Sequence, residues 1–96
     1  GDYRKILRCT LEAAEESGFP YYHRTRHTGF FRHLLVRKAI RTGEILIDLI
    51  TTSGENVNHT TSAGAAEGWL RGWVDRLFSL SLNGKISGIL HTVKGI

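Results

Sequence analysis

Methionine is absent from the 96 residues, cysteine occurs once, at Cys9, and proline once, at Pro20. With one thiol, no disulfide can close within the chain, and no thiolate cage can be built from these residues alone. A reducing, cytoplasmic setting is the expectation. The missing initiator points to an internal fragment of a larger protein. No apolar run approaches the roughly 20 residues that span a bilayer, and Gly1-Asp2-Tyr3-Arg4-Lys5 leads into an amphipathic pattern rather than a signal peptide. No membrane partner is expected. The eleven glycines are scattered and form neither GxGxxG nor GxxxxGK[ST], so a phosphate-cradling loop is missing. C-x-x-C and H-E-x-x-H are missing too.

What is present suits one small folded domain, residues 1–96. Hydrophobic residues make up 41%, enough for a core, and the net charge of +4 permits contact with nucleic acid without demanding it. Asp2 is a candidate N-cap for a helix over about residues 3 to 17, where Ile6, Leu7, Leu11 and Ala14 recur at helical spacing. Ser17-Gly18 and then Pro20 stop it. Residues 21 to 28 read as a loop. Phe30 to Ile40 and Glu44 to Thr52 read as two strands, with Gly43 free to take the positive φ of a tight hairpin. A polar stretch, 53 to 64, follows; its Asn58-His59-Thr60 sequon is read as chance. A second helix spans about Ala65 to Leu80, where Ala66, Trp69, Leu70, Trp73, Val74, Leu77 and Phe78 keep i, i+3, i+4 spacing. Asn83-Gly84 precedes a last strand, Lys85 to Val93.

The element order α-β-β-α-β predicts an α+β two-layer sandwich. Its second and third strands run parallel, the strand order is 3-1-2, and both helices lie on one face, as in part of a ferredoxin-like fold. A two-residue loop at Thr42-Gly43 would set Arg37 opposite Asp48 and Leu35 opposite Ile50. Leu35, Ala39, Leu46 and Ile50 then form an apolar strip on the second sheet face, a surface that favours a cover or weak self-association.

The search for chemistry finds few candidates. Cys9 has no evident base and reads as a core residue. His23, His27, His33, His59 and His91 do not form a spacing that would converge on a metal. Glu12, Glu15 and Glu16 read as a solvated helix face, and Trp69 with Trp73 as core. One constellation suits RNA. His23, Arg24, Arg26, His27, Arg32 and His33 interleave with Tyr21, Tyr22, Phe30 and Phe31, so cations for phosphates sit beside rings for unpaired bases. Arg24, Arg26, His27, Arg32 and His33 are the candidate RNA-contacting residues. The competing reading packs the rings beneath the loop and leaves the cations in water.

The stretch from Thr28 to Thr52, with Gly29, Arg32, His33, Arg37, Thr42, Gly43, Glu44, Leu49 and Thr51 at the matching positions, resembles the bacterial 23S ribosomal RNA uracil-5-methyltransferase family. Ile86 to Val93 resembles that family's following strand, and the first helix fits by position. After Val93 the family continues with Asn, whereas this chain reads Lys94-Gly95-Ile96. The resemblance implies a scaffolding piece of the central domain, with an RNA-binding barrel and an iron–sulfur segment before it and a methyltransferase domain after it. S-adenosylmethionine and a 4Fe-4S cluster would belong to those other parts, as would the cysteine that adds to uracil C6 and the carboxylate that removes the C5 proton. The chain itself would carry no catalytic, cofactor or metal residue, and its partners would be the other domains and, through them, ribosomal RNA. A free-standing nucleic-acid-binding module and a structural dimerisation domain are the alternatives.

Overall fold

The computed structural model describes residues 1–23, 25, 29–52 and 63–94. The elements are α1 (Asp2–Ser17), β1 (Phe31–Lys38), β2 (Glu44–Thr52), α2 (Ala63–Phe78) and β3 (Lys85–Lys94). This is the expected α+β order, with β1 and β2 antiparallel and β2 and β3 parallel. The sequon at Asn58 and most of the polar stretch lie outside the described residues.

The strand order is β1-β2-β3, not 3-1-2. β2 takes the centre because it is the strand most apolar on both sides. Its Ile45, Ile47 and Leu49 face the helices at 0%, 0% and 2% exposure, each contributing about 1.5–3 kcal/mol by burial. β1 carries Arg32, Arg37 and Lys38, cations better tolerated at a sheet edge.

The hairpin register differs from the expected one by two residues. Lys38 pairs with Ile45, Val36 with Ile47, Leu35 with Asp48 and Arg37 with Leu46. The turn is longer than Thr42-Gly43. Ala39 N–H donates to the Glu44 carbonyl, and Gly43 N–H, with Gly43 at φ 73°, donates back to the Ala39 carbonyl, both at 2.8 Å. Arg37 therefore faces Leu46 rather than Asp48. An even shift leaves the paired side chains from Leu34 to Lys38 on their expected faces, because the pleat repeats every two residues. Of the expected apolar strip, Leu35 and Leu46 are exposed, but Ala39 falls in the turn beyond β1 and Ile50 is buried at 6% exposure.

Both helices cover one face. Ile6, Cys9, Ala13 and Ala14 of α1 meet Trp73 and Leu77 of α2 over the β2 aliphatics. The two tryptophans stack with centroids 5.8 Å apart and planes 9° apart. Each indole N–H reaches α1: Trp69 donates to the Ala13 carbonyl at 2.7 Å, and Trp73 to Thr10 Oγ1 at 2.9 Å. Thr10 passes its own hydroxyl proton to the Ile6 carbonyl. Leu11 and Phe78, expected on the buried stripes, are instead 48% and 62% exposed, at the margins of the two-helix layer. Glu16 is not merely solvated, since it receives both terminal nitrogens of Arg76 at 2.7 and 2.8 Å.

Asp2 is not an N-cap. Gly1 takes that position, with no side-chain cap. The Asp2 carboxylate, 5% exposed, accepts instead from Lys38 Nζ at 2.9 Å and from the backbone N–H groups of Asn83 and Gly84 at 2.7 Å. It thereby ties the start of α1 to the end of β1 and the entry to β3.

Candidate nucleic-acid interface

The cationic, aromatic stretch begins where α1 ends. Gly18 closes the helix in the left-handed region, at φ 72°, and Phe19-Pro20 turn the chain back towards the sheet. Phe30 N–H donates to the Pro20 carbonyl at 2.7 Å, and Tyr22 N–H donates to the Phe31 carbonyl at 2.8 Å. Tyr21 forms an isolated parallel bridge with Phe31. The segment read as a loop is thus partly stitched to the first residue of β1. Gly29 makes this approach possible. Its φ is 117°, and a β-carbon there would collide with the Tyr21 carbonyl.

The aromatic residues divide into two groups. Phe30 and Phe31 are buried at 5% and 7% exposure. They form an edge-on cluster with Phe19, centroids 4.9 and 5.3 Å apart, and Phe31 continues the cluster to Trp69 at 4.9 Å. For these two, packing beneath the loop is the correct description. Tyr21 is half exposed, and Tyr22 carries the Arg32 guanidinium 4.2 Å above its ring.

Among the five candidate RNA-contacting residues, Arg24, Arg26 and His27 lie outside the described residues. Arg32 and His33 are adjacent on β1 but differently disposed. The β1–β2 ladder steps from Phe31–Thr51 to His33–Ile50, so Arg32 is the extra residue of a bulge, a device that re-aims a side chain. The bulge swings Arg32 over Tyr22, where its Nε is buried without a hydrogen-bond partner among the described residues. Such a cation–ring contact contributes about 0.5–2 kcal/mol, depending on how dry it is. His33 is exposed on the edge strand. Arg32 and Tyr22, both half-buried, are the cation–ring pair of this segment among the described residues.

Two polar pairs across β2 and β3 have no sequence signal, because parallel register over some 40 residues cannot be counted from spacing. His91 Nε2 meets Thr51 Oγ1 at 2.8 Å on the helix side. Burial against the strands holds the His91 pKa below the ordinary histidine value, while Asp48 pulls the other way. On the opposite side, the Thr92 hydroxyl lies 2.9 and 3.1 Å from the two Asp48 carboxylate oxygens. A groove of about 510 Å³ runs between α2 and β3, floored by Leu70, Trp73, Val74 and Ile89, with Arg71 and His91 on its rim. Cys9 is buried, and its burial raises the thiol pKa. Among the described residues, no group of three or more His, Cys, Asp or Glu is placed to hold a metal. No helix among them is long and apolar enough to cross a membrane.

Two proteins named uncharacterized RNA methyltransferase, from Clostridium tetani and Clostridium acetobutylicum, are each 36% identical to this chain over 92 residues, 96% of its length. The chain is a relative of one segment of these RNA methyltransferases. It spans 18% of the length of either. A third, from Caldanaerobacter subterraneus subsp. tengcongensis, is 42% identical over 52 residues, covering 54% of the chain and 12% of that protein. No family model matches the chain, and no solved structure matches it. The positions that carried the sequence resemblance have physical roles here. Gly29 and Gly43 hold positive φ, Leu49 is core, and Thr51, fully buried, meets His91.

Proposed function

We propose that the chain is a non-catalytic segment of an S-adenosylmethionine-dependent RNA methyltransferase acting on uracil C5, where it scaffolds the catalytic part and contacts RNA through Arg32. The observation that carries this reading is the relationship, over 96% of the chain, to proteins named RNA methyltransferases. The narrowing to uracil C5 and to ribosomal RNA rests on the resemblance of residues 28 to 52. The residues described do not fit either implied group. One buried cysteine cannot ligate an iron–sulfur cluster, and the sequence carries no GxGxxG run of the kind that binds S-adenosylmethionine. Both groups are therefore assigned to the remainder of the protein. RNA contact draws on the cation–aromatic pair of Arg32 and Tyr22.

The test uses the complete polypeptide encoded around this sequence. Incubated with S-adenosylmethionine and unmodified ribosomal RNA, it should yield 5-methyluridine by nucleoside mass spectrometry. The 96-residue chain should yield none, and its calorimetric titration with S-adenosylmethionine should be flat. Stop codons on both sides of the sequence, or micromolar binding of S-adenosylmethionine by the chain alone, would overturn the reading.

A further inference from the structure

The sheet face turned away from the helices is arranged in three columns. Leu35 of β1, Asp48 of β2 and Leu90 of β3 form one row, and Arg37, Leu46 and Gly88 form the next. Leu35, Leu46 and Leu90 are 44%, 38% and 50% exposed. Asp48, half-buried, sits among them. Its carboxylate is approached by the Thr92 hydroxyl, which has one proton to donate. Among the described residues no Lys or Arg lies within ion-pair distance of Asp48, although Arg37 stands on the same face. Ile50, in the row beyond with His33 and Thr92, is buried, so the open part of the face is three exposed leucines around a carboxylate with acceptor capacity to spare.

We infer that this face docks another segment of the same polypeptide, one presenting an apolar surface with a single Lys or Arg that pairs with Asp48. The inference rests on reading the chain as part of a longer methyltransferase. Charge sets the chemistry of the occupant. A purely apolar cover would bury the Asp48 charge with the Thr92 hydroxyl as its one side-chain partner and no cation at ion-pair distance, which is unfavourable. A phosphate backbone would meet a carboxylate ringed by leucines. A cation set in an apolar surround satisfies both parts of the face. Size sets the tether. Three strands about 4.8 Å apart offer a few hundred Å², well short of the roughly 800 Å² per partner of a stable free interface. A covalently linked segment has an effective concentration in the millimolar range, so a patch this small suffices for it. The relatives, of which this chain spans 18%, have ample chain to supply the segment.

Hydroxyl-radical footprinting of the complete polypeptide against the 96-residue chain is the test. Leu35, Leu46 and Leu90 should be protected several-fold in the complete polypeptide, while the exposed Tyr3 of α1 labels equally in both. Asp48→Asn keeps an acceptor for Thr92 and removes the charge. It should lower the melting temperature of the complete polypeptide and restore labelling of the three leucines there, with little effect on the 96-residue chain. Equal labelling of the leucines in an enzyme that still methylates RNA would overturn the docking inference and leave the methyltransferase reading standing. A polypeptide that protects the leucines but methylates nothing would do the reverse. Protection that survives Asp48→Asn would overturn the ion pair. A tight dimer of the 96-residue chain, abolished by Leu35→Lys, would overturn the tethered occupant in favour of a second copy.

Discussion

Replacing Trp73 by Phe probes the joint between the helices most directly. The side chain is 1% exposed and stacks on Trp69. Its indole N–H donates to Thr10 Oγ1 at 2.9 Å, and Thr10 donates onward to the Ile6 carbonyl. Phenylalanine keeps a ring in place but is smaller and has no donor. Thr10 retains its own donation, so the variant loses one acceptor interaction and leaves no buried donor orphaned. A lost hydrogen bond of this kind costs about 0.5–1.5 kcal/mol. The unfilled volume adds a cavity contribution below the 3–5 kcal/mol typical of full truncation to alanine. The expected total is about 2 kcal/mol, a fall of roughly 8–16 °C in melting temperature for a domain this size. Urea unfolding followed by far-ultraviolet circular dichroism measures it, since fluorescence would be confounded by the lost tryptophan. Thr10→Val and the double variant complete a cycle that isolates the hydrogen bond, with coupling of about 1 kcal/mol. A change in unfolding free energy under about 0.3 kcal/mol, or zero coupling, would refute the view that this contact joins the helices.

Gly29→Ala should destabilise the fold by more than about 1 kcal/mol, because its φ is positive and the added carbon meets the Tyr21 carbonyl; an unchanged denaturation midpoint would show that residues 20–22 do not dock on β1. The hydrogen bond from Lys38, then those from Asn83 and Gly84, holds the Asp2 carboxyl well below the usual carboxylate range. Its contribution is fully present above the unfolded carboxyl value and falls away as the pH drops through and below it, so Asp2→Asn should flatten the acid limb of a stability–pH curve; a parallel limb in the variant would assign acid sensitivity elsewhere. His91 has a lowered folded pKa, caused first by burial. Its neutral form therefore favours the fold above the unfolded value of about 6.5, and stability should decline as pH falls below that, a slope that His91→Gln removes in paired urea titrations. Arg32→Ala in the complete polypeptide should weaken RNA binding and its salt dependence, while Arg37→Ala leaves both nearly unchanged; equal losses in a filter-binding assay would mean that no particular residue on β1 is aimed at RNA.

Local physics was legible along the chain. Periodicity placed both helices within two residues at each end, Gly18 and Gly43 marked reversals, and period-two alternation assigned side chains to sheet faces. That face assignment survived an error in register, because a two-residue slip preserves the pleat. The candidate RNA residues were chosen by composition. Composition cannot distinguish Phe30 and Phe31, which are buried, from Tyr22, whose ring lies under a cation. That division depends on a bulge at Arg32 and on Gly29 allowing residues 20–22 against the strand.

What the sequence by itself determined was therefore the elements, their amphipathic faces and the match to a known kind of protein, all of which depend on neighbours within a turn, a pleat or a hairpin. Strand order, the Asp2 tie to Lys38, Asn83 and Gly84, and the placing of Asp48 among Leu35, Leu46 and Leu90 were decided only in the tertiary structure. They join residues from 13 to 82 positions apart, and no spacing rule reaches that far. β2 holds the centre, where Ile45, Ile47 and Leu49 lie buried beneath the helices with a strand on either side. That placement belongs to the whole sheet, and no single strand carries it.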